Sequence, residues 1–166
     1  MTTDSLLRRD HEEILRTLAT AAGKNDGAGR SAKEVLETLR PHLEKEEELV
    51  MPVLDALGDL AIGGVASAEK PAEIAGRPSA EYHMMFREHE EILDKVNTLY
   101  NEAKKSGDDE TSELAERLKA HIELEEAVLY PAAMVAAKYA EKIIKGEIES
   151  YRGLEQGEIK RFGATE

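Results

Sequence analysis

A repeated pattern constrains this chain more than any other feature. The segment DHEEIL at residues 10–15 returns as EHEEIL at 88–93, and HLEKEEELVMP at 42–52 returns as HIELEEAVLYP at 121–131. In both copies of the longer element a glutamate follows the histidine by four residues and a proline follows it by ten. His11 and His42 are 31 residues apart, and His89 and His121 are 32 apart. Four of the five histidines thus fall at corresponding places, which mere similarity between two helices rich in Glu and Leu does not explain. The spacing reads as one helix-loop-helix unit used twice.

Apolar residues recur at intervals of three and four along four stretches, which predicts four amphipathic helices. The first spans about Thr3 to Ala22, with Leu7, Ile14, Leu15 and Leu18 on one side. The second is expected from an N-cap at Ser31, with Glu34 three residues on, to about Leu57. Its stripe is Val35, Leu39, Leu43, Leu49, Val50 and Val53. The third runs from Ser79 to about Lys105 through Met85, Ile92, Leu93, Val96 and Leu99. The fourth starts near Asp109 with Leu114, Leu118, Ile122, Val128 and Leu129, and continues past Pro131 toward Lys145. Residues 58–78, rich in Gly and Pro, read as a long loop with a short helical turn. The other connections are short, which favours antiparallel neighbours. The expected fold is all-α, an up-down-up-down four-helix bundle over residues 1–145, followed by a weak helix or polar tail over 146–166.

Composition narrows the chemistry. A length of 166 residues fits one buried core. Thirty-five acidic residues against 22 Lys and Arg give a net charge of −13, the wrong sign for nucleic acid or an anionic membrane. The N-terminus MTTDSLLRRDHEE lacks the apolar run of a secretory signal, so a cytoplasmic location is expected. With no cysteine, thiolate metal sites, Cys-bound clusters and Cys nucleophiles are excluded. Any metal must be held by imidazole, carboxylate, other oxygen or water.

The histidines and two glutamates meet that requirement. At about 1.5 Å of rise per residue, His11 and His42 stand at one level on either side of a turn, and the later helices return His89 and His121 near it. His42 and Glu46 lie one helical turn apart within the apolar stripe, as do His121 and Glu125; His11 and His89 are flanked by apolar residues. Burying ionised carboxylates without partners costs several kcal/mol each, on the order of the charge-burial penalty. A pair of metal ions between six inward side chains removes that cost. Mixed imidazole and carboxylate ligation suits iron first, with manganese or zinc as alternatives. The Glu-x-x-His spacing of ferritin-like bundles is not found at these sites, and a zinc-protease helix would need histidine where Leu15 and Leu93 stand.

On these motifs, a His, an HxxxE, a second His and a second HxxxE on successive helices, the sequence resembles the hemerythrin-like, or HHE cation-binding, family over about residues 5–135. The resemblance implies a four-helix bundle around two non-heme iron ions. His11, His42, His89 and His121 would then be terminal ligands, and Glu46 and Glu125 bridging carboxylates. It implies a small diatomic or peroxide ligand: O2, NO or peroxide bound for sensing, storage or scavenging. Turnover of peroxide or NO is an alternative, as is iron handling or repair of iron centres, although members assigned to repair commonly carry a cysteine-bearing segment that is absent here. Oxygen-carrying members have a fifth histidine one turn after the third-helix ligand, where this chain has Leu93. His83 and Tyr130 are further candidates for an added ligand or for a place behind the ligands. Met51 corresponds to Tyr130 in the repeat, and Glu47 to Glu126, which follow the bridging glutamates, point about 100° away from them and read as solvated or as supports to the ligands. Pro41, Pro52 and Pro131 are expected to interrupt helical hydrogen bonding.

Overall fold

The computed structural model describes residues 3–62, 64–77 and 79–147. Among them every regular element is helical: α1 Thr3–Ala22, α2 Gly27–Leu49, α3 Met51–Ala61, α4 Glu69–Ala75, α5 Ser79–Ser106, α6 Asp109–Leu124 and α7 Tyr130–Ile144. Helix α1 packs on α2, α2 on α5, α5 on α6 and α6 on α1, so the four long helices close a ring. None of the described helices is long and apolar enough to cross a membrane.

The start of α2 differs from the expectation of a Ser31 cap. Asp26 is the N-cap, its carboxylate accepting from the Gly29 amide at 2.8 Å, and Ser31 is buried inside the helix. Gly29 is needed at that turn because a Cβ there would stand 2.0 Å from the Lys24 carbonyl oxygen. The turn from α5 to α6 uses Gly107 at φ 69°, a left-handed conformation that glycine adopts without steric cost. Asp108 then caps α6 by accepting from the Thr111 amide.

The second predicted helix is two helices. Pro52 offers no N–H and its ring crowds the preceding turn, so α2 stops at Leu49 and α3 restarts with Pro52 in its first turn. Helix α6 reaches α7 differently, through a π turn over Glu125–Leu129, where the Tyr130 amide reaches back to the Glu125 carbonyl. This wider turn carries an extra residue and resets the helical face. Val128, expected in the apolar stripe, is therefore 51% exposed, whereas Tyr130 is fully buried. Beyond it Ala133, Ala136, Ala137 and Ala140 face inward. Pro41, by contrast, is accommodated inside α2 without ending it.

The stretch 58–78 is also more helical than expected. Helix α3 extends to Ala61, and a 3-10 turn over Ala66–Ala68 leads into α4. Ala68, Pro71 and Ile74 are buried, and the small alanines of α7 let α4 pack closely on it. The helix or tail expected over 146–166 lies outside the described residues from 148 onward.

The buried apolar residues form two clusters. One joins Ile14, Leu18, Val35, Leu39, Ile92, Val96, Leu99, Leu114 and Leu118 from the four ring helices. The other joins Val53, Leu54, Leu60, Ile74, Met85, Tyr130 and the α7 alanines. Where the two clusters meet, the buried side chains are polar: His11 on α1, His42 and Glu46 on α2, His89 on α5, His121 on α6 and Glu125 in the π turn.

Candidate metal centre

Six polar side chains occupy the layer between the two apolar clusters. His11, His42, Glu46, His89, His121 and Glu125 are each at most 7% exposed. Each ring helix delivers its share through its register. His42 and Glu46, like His121 and Glu125, sit one turn apart on the inner face, and the helix end that follows each pair turns a further bulky residue, Met51 or Tyr130, into the core.

The imidazoles pair across the copies of the repeat. The Nε2 atoms of His42 and His89 are 2.8 Å apart, and the rings of His11 and His121 stand edge to face with centroids 5.0 Å apart. The two carboxylates span both pairs. Glu46 places Oε1 3.7 Å from His42 Nε2 and Oε2 3.6 Å from His11 Nε2. Glu125 places Oε1 3.5 Å from His11 and 2.7 Å from His121, and Oε2 3.5 Å from His89. Two donor groups result: His42, Glu46, His89 and Glu125 in one, His11, His121 and Glu125 in the other, with the donor atoms of each group within 4.8 Å of one another.

The hydrogen bonding within this layer is incomplete. His11 Nδ1 and Nε2, Glu46 Oε2 and His121 Nε2 are buried without a hydrogen-bond partner. His121 Nε2 is close to Glu125 but not aligned for a hydrogen bond, as two donor atoms aimed at a common point would be. Each unsatisfied buried polar group costs about 1–3 kcal/mol. A cation coordinated by nitrogen and oxygen together satisfies such atoms, so the donor set fits a metal.

Electrostatics agree with the geometry. Burial and the nearby Glu125 carboxylate push Glu46 well above the usual carboxyl range. Burial acts on Glu125 in the same direction, but contacts with His11 and His121 and the nearby His89 outweigh it and hold Glu125 low. Two carboxylates this close, without a cation, cannot both ionise freely. Burial lowers His42 against the pull of Glu88, whereas at His121 the carboxylates of Glu125 and Asp10 overcome burial and raise it.

A family model described as the hemerythrin HHE cation binding domain matches residues 2–133. The chain belongs to that family. Neither the comparison with curated proteins nor that with solved structures gave a match. In this hemerythrin domain the position of the fifth histidine of oxygen carriers is apolar: Leu93 is half-buried against the first core cluster. His83 is exposed and belongs to neither donor group. Tyr130 stacks on His89 with ring centroids 5.3 Å apart and donates its hydroxyl hydrogen to Glu46. Burial, reinforced by Glu46 and Glu125, raises its phenol far above the ordinary range, so it stays protonated. Its partner in the repeat, Met51, is also buried.

Three carboxylates stand behind the imidazoles; Glu126 was expected as a solvated or supporting residue, and Asp10 and Glu88 were given no role. Asp10 Oδ2 lies 2.8 Å from His121 Nδ1, Glu88 Oε2 3.0 Å from His42 Nδ1, and Glu126 Oε1 3.0 Å from His89 Nδ1. For Asp10 and Glu88 the signal was present, since an acidic residue precedes the histidine in both DHEEIL and EHEEIL.

Proposed function

We propose that the layer holds two iron ions, with His42 and His89 as terminal ligands of one and His11 and His121 of the other, and that Glu46 and Glu125 bridge them. The protein binds a small oxidant or gas there, O2, NO or peroxide, in a sensing, storage or scavenging role. The observation that carries this reading is a small cavity against the two glutamates. Leu7, Val50, Met51, Leu54 and Leu129 line it together with Glu46, Glu125 and Tyr130, leaving room for about one water-sized molecule. Such a space excludes larger substrates, and its apolar wall favours a small uncharged guest over bulk water. Bound iron supplies reversible electron transfer to such a ligand. The chain supplies position and dryness, and Tyr130 presents a protonated hydroxyl beside the cavity.

That hydroxyl favours a second reading, turnover of peroxide or NO, because a hydrogen-bond donor fixed at the cavity wall steadies negative charge that develops on a guest during reduction. The ring of helices, with short turns between α1 and α2 and between α5 and α6, supports an up-down-up-down bundle within a domain of residues 1–145, with 146–166 appended. A cysteine-free, acidic chain suits the cytoplasm. Metal content and the visible spectrum of aerobically purified protein test the proposal. About two irons per chain, with an absorption that changes on adding O2, NO or peroxide, is the expected result by family resemblance and by the donor groups. A chain without iron, or an iron-loaded chain whose spectrum responds to none of the three, overturns it.

A further inference from the structure

Two of the carboxylates behind the imidazoles are themselves held by a cation from the other side. Glu88 accepts from His42 Nδ1 through Oε2 at 3.0 Å and from the Lys45 ammonium through Oε1. Asp10 places Oδ2 2.8 Å from His121 Nδ1 and accepts from the Arg117 guanidinium through Oδ1. In both sets the cation and the histidine share a helix, α2 or α6, and the carboxylate crosses from a helix packed against it, α5 or α1. The carboxylates correspond in the repeat, each standing just before the histidine of DHEEIL or EHEEIL. The cations do not. Lys45 follows His42 by three residues, where the second copy has Leu124; Arg117 precedes His121 by four, where the first copy has Thr38. One arrangement is thus reached from two non-equivalent positions, which duplication of a hairpin does not produce.

Asp10 and Glu88 are partly exposed, so water competes for them, whereas the two histidines they face are buried. A carboxylate fixed at Nδ1 keeps the proton on that nitrogen, leaves Nε2 free for a metal ion and holds the ring at one angle. Ion pairs this exposed add little to stability by themselves, so their worth lies in what they hold still. We propose that Lys45 and Arg117 are positioning residues of the metal centre: each anchors an outer carboxylate so that His42 and His121 present Nε2 in a fixed tautomer and orientation. Each acts through the carboxylate. The inference rests on the metal centre proposed above.

The test loads the whole chain with zinc, a diamagnetic ion suited to nitrogen and oxygen ligands, and follows the Nδ1–H protons of isotope-labelled histidine by NMR. In the parent chain those of His42 and His121 should exchange slowly with water. Lys45→Met should speed exchange at His42 at least about tenfold and leave His121 unchanged, and Arg117→Met should do the reverse. Zinc affinity, measured against a competing chelator, should fall roughly tenfold in each, the low end of the loss for an outer partner. Lys45→Arg should keep the parent behaviour. Leu124→Lys, which puts a cation on α6 at the repeat position of Lys45, should restore slow exchange to the Arg117→Met chain, a rescue that repair of a packing defect cannot imitate. Glu13→Gln, which weakens the other partner of Arg117, should leave exchange at His121 as it was, separating the tie between α1 and α6 from support of the ring. Exchange that the Met variants leave unmoved, or that each moves at both histidines alike, overturns the role of the cations while leaving the metal centre standing. A parent chain that binds no zinc overturns both.

Discussion

The Nε2 atoms of His42 and His89, contributed by different copies of a sequence repeat, lie 2.8 Å apart in the middle of the protein. Two ring nitrogens at this distance share one proton or one cation between them. The approach holds α2 and α5 together at a polar layer that would otherwise interrupt the core.

Glu125 belongs to both donor groups, whereas His42 and His121 each belong to one. Glu125→Ala should therefore abolish binding at both positions, while each histidine variant should retain close to half of the metal. Elemental analysis of the three variants, purified alike, checks this; equal losses in all three would contradict the shared role.

Metal should stabilise the fold, because the folded state presents the convergent donors and the unfolded chain does not. At a free metal concentration about 1,000 times the dissociation constant, the gain is about 4 kcal/mol. Thermal unfolding with and without a chelator measures it, and an unchanged midpoint would remove the coupling.

Tyr130→Phe removes the hydroxyl that donates to Glu46 while keeping the ring against Phe86, whose centroid is 5.4 Å away. Leaving the Glu46 oxygen unpaired should cost the metal-free protein about 1–3 kcal/mol. The loss should shrink once metal occupies the site, which denaturant melts in both states would show.

Leu39 and Leu99 lie in the apolar cluster on the far side of the polar layer from Tyr130. Leu39→Ala or Leu99→Ala should lower stability by about 2–5 kcal/mol. Metal stoichiometry should be kept, separating the core from the site. His83→Ala, at an exposed position, should change neither quantity.

At the opposite end, Lys24 reaches Asp108 and Thr111, tying the α1–α2 turn to the start of α6. The Lys24 ammonium holds the Asp108 carboxyl below its ordinary value of 3.8. A depressed carboxyl stabilises the fold above that value, and the contribution is lost as pH falls through the lower folded value. Asp108→Ala, which also removes the cap, should cost about 1 kcal/mol at neutral pH. The difference from the parent chain should narrow in urea melts near pH 3; a gap that widens there would reverse the assignment.

Much of the centre was legible because it follows from helical periodicity. An HxxxE in an apolar stripe puts both groups on one inward face wherever the helix goes, and a doubled hairpin brings four such faces to one level. Less legible were the features set by local competition. Pro52 divided the second predicted helix, and the π turn after Glu125 exchanged Val128 for Tyr130 on the inner face. The true cap was Asp26, because Gly29 permits a turn too tight for Ser31 to direct.

Residue types and their spacing alone determined the helical class, the six inward groups and the kind of cation they suit, since these depend on intervals along one helix. Tertiary structure decided which imidazoles face each other, which carboxylate stands behind each, and that His11 has none. Such pairings join residues up to about a hundred positions apart. They depend on how four helices rotate against one another when their side chains pack, and no interval within a single helix encodes that rotation.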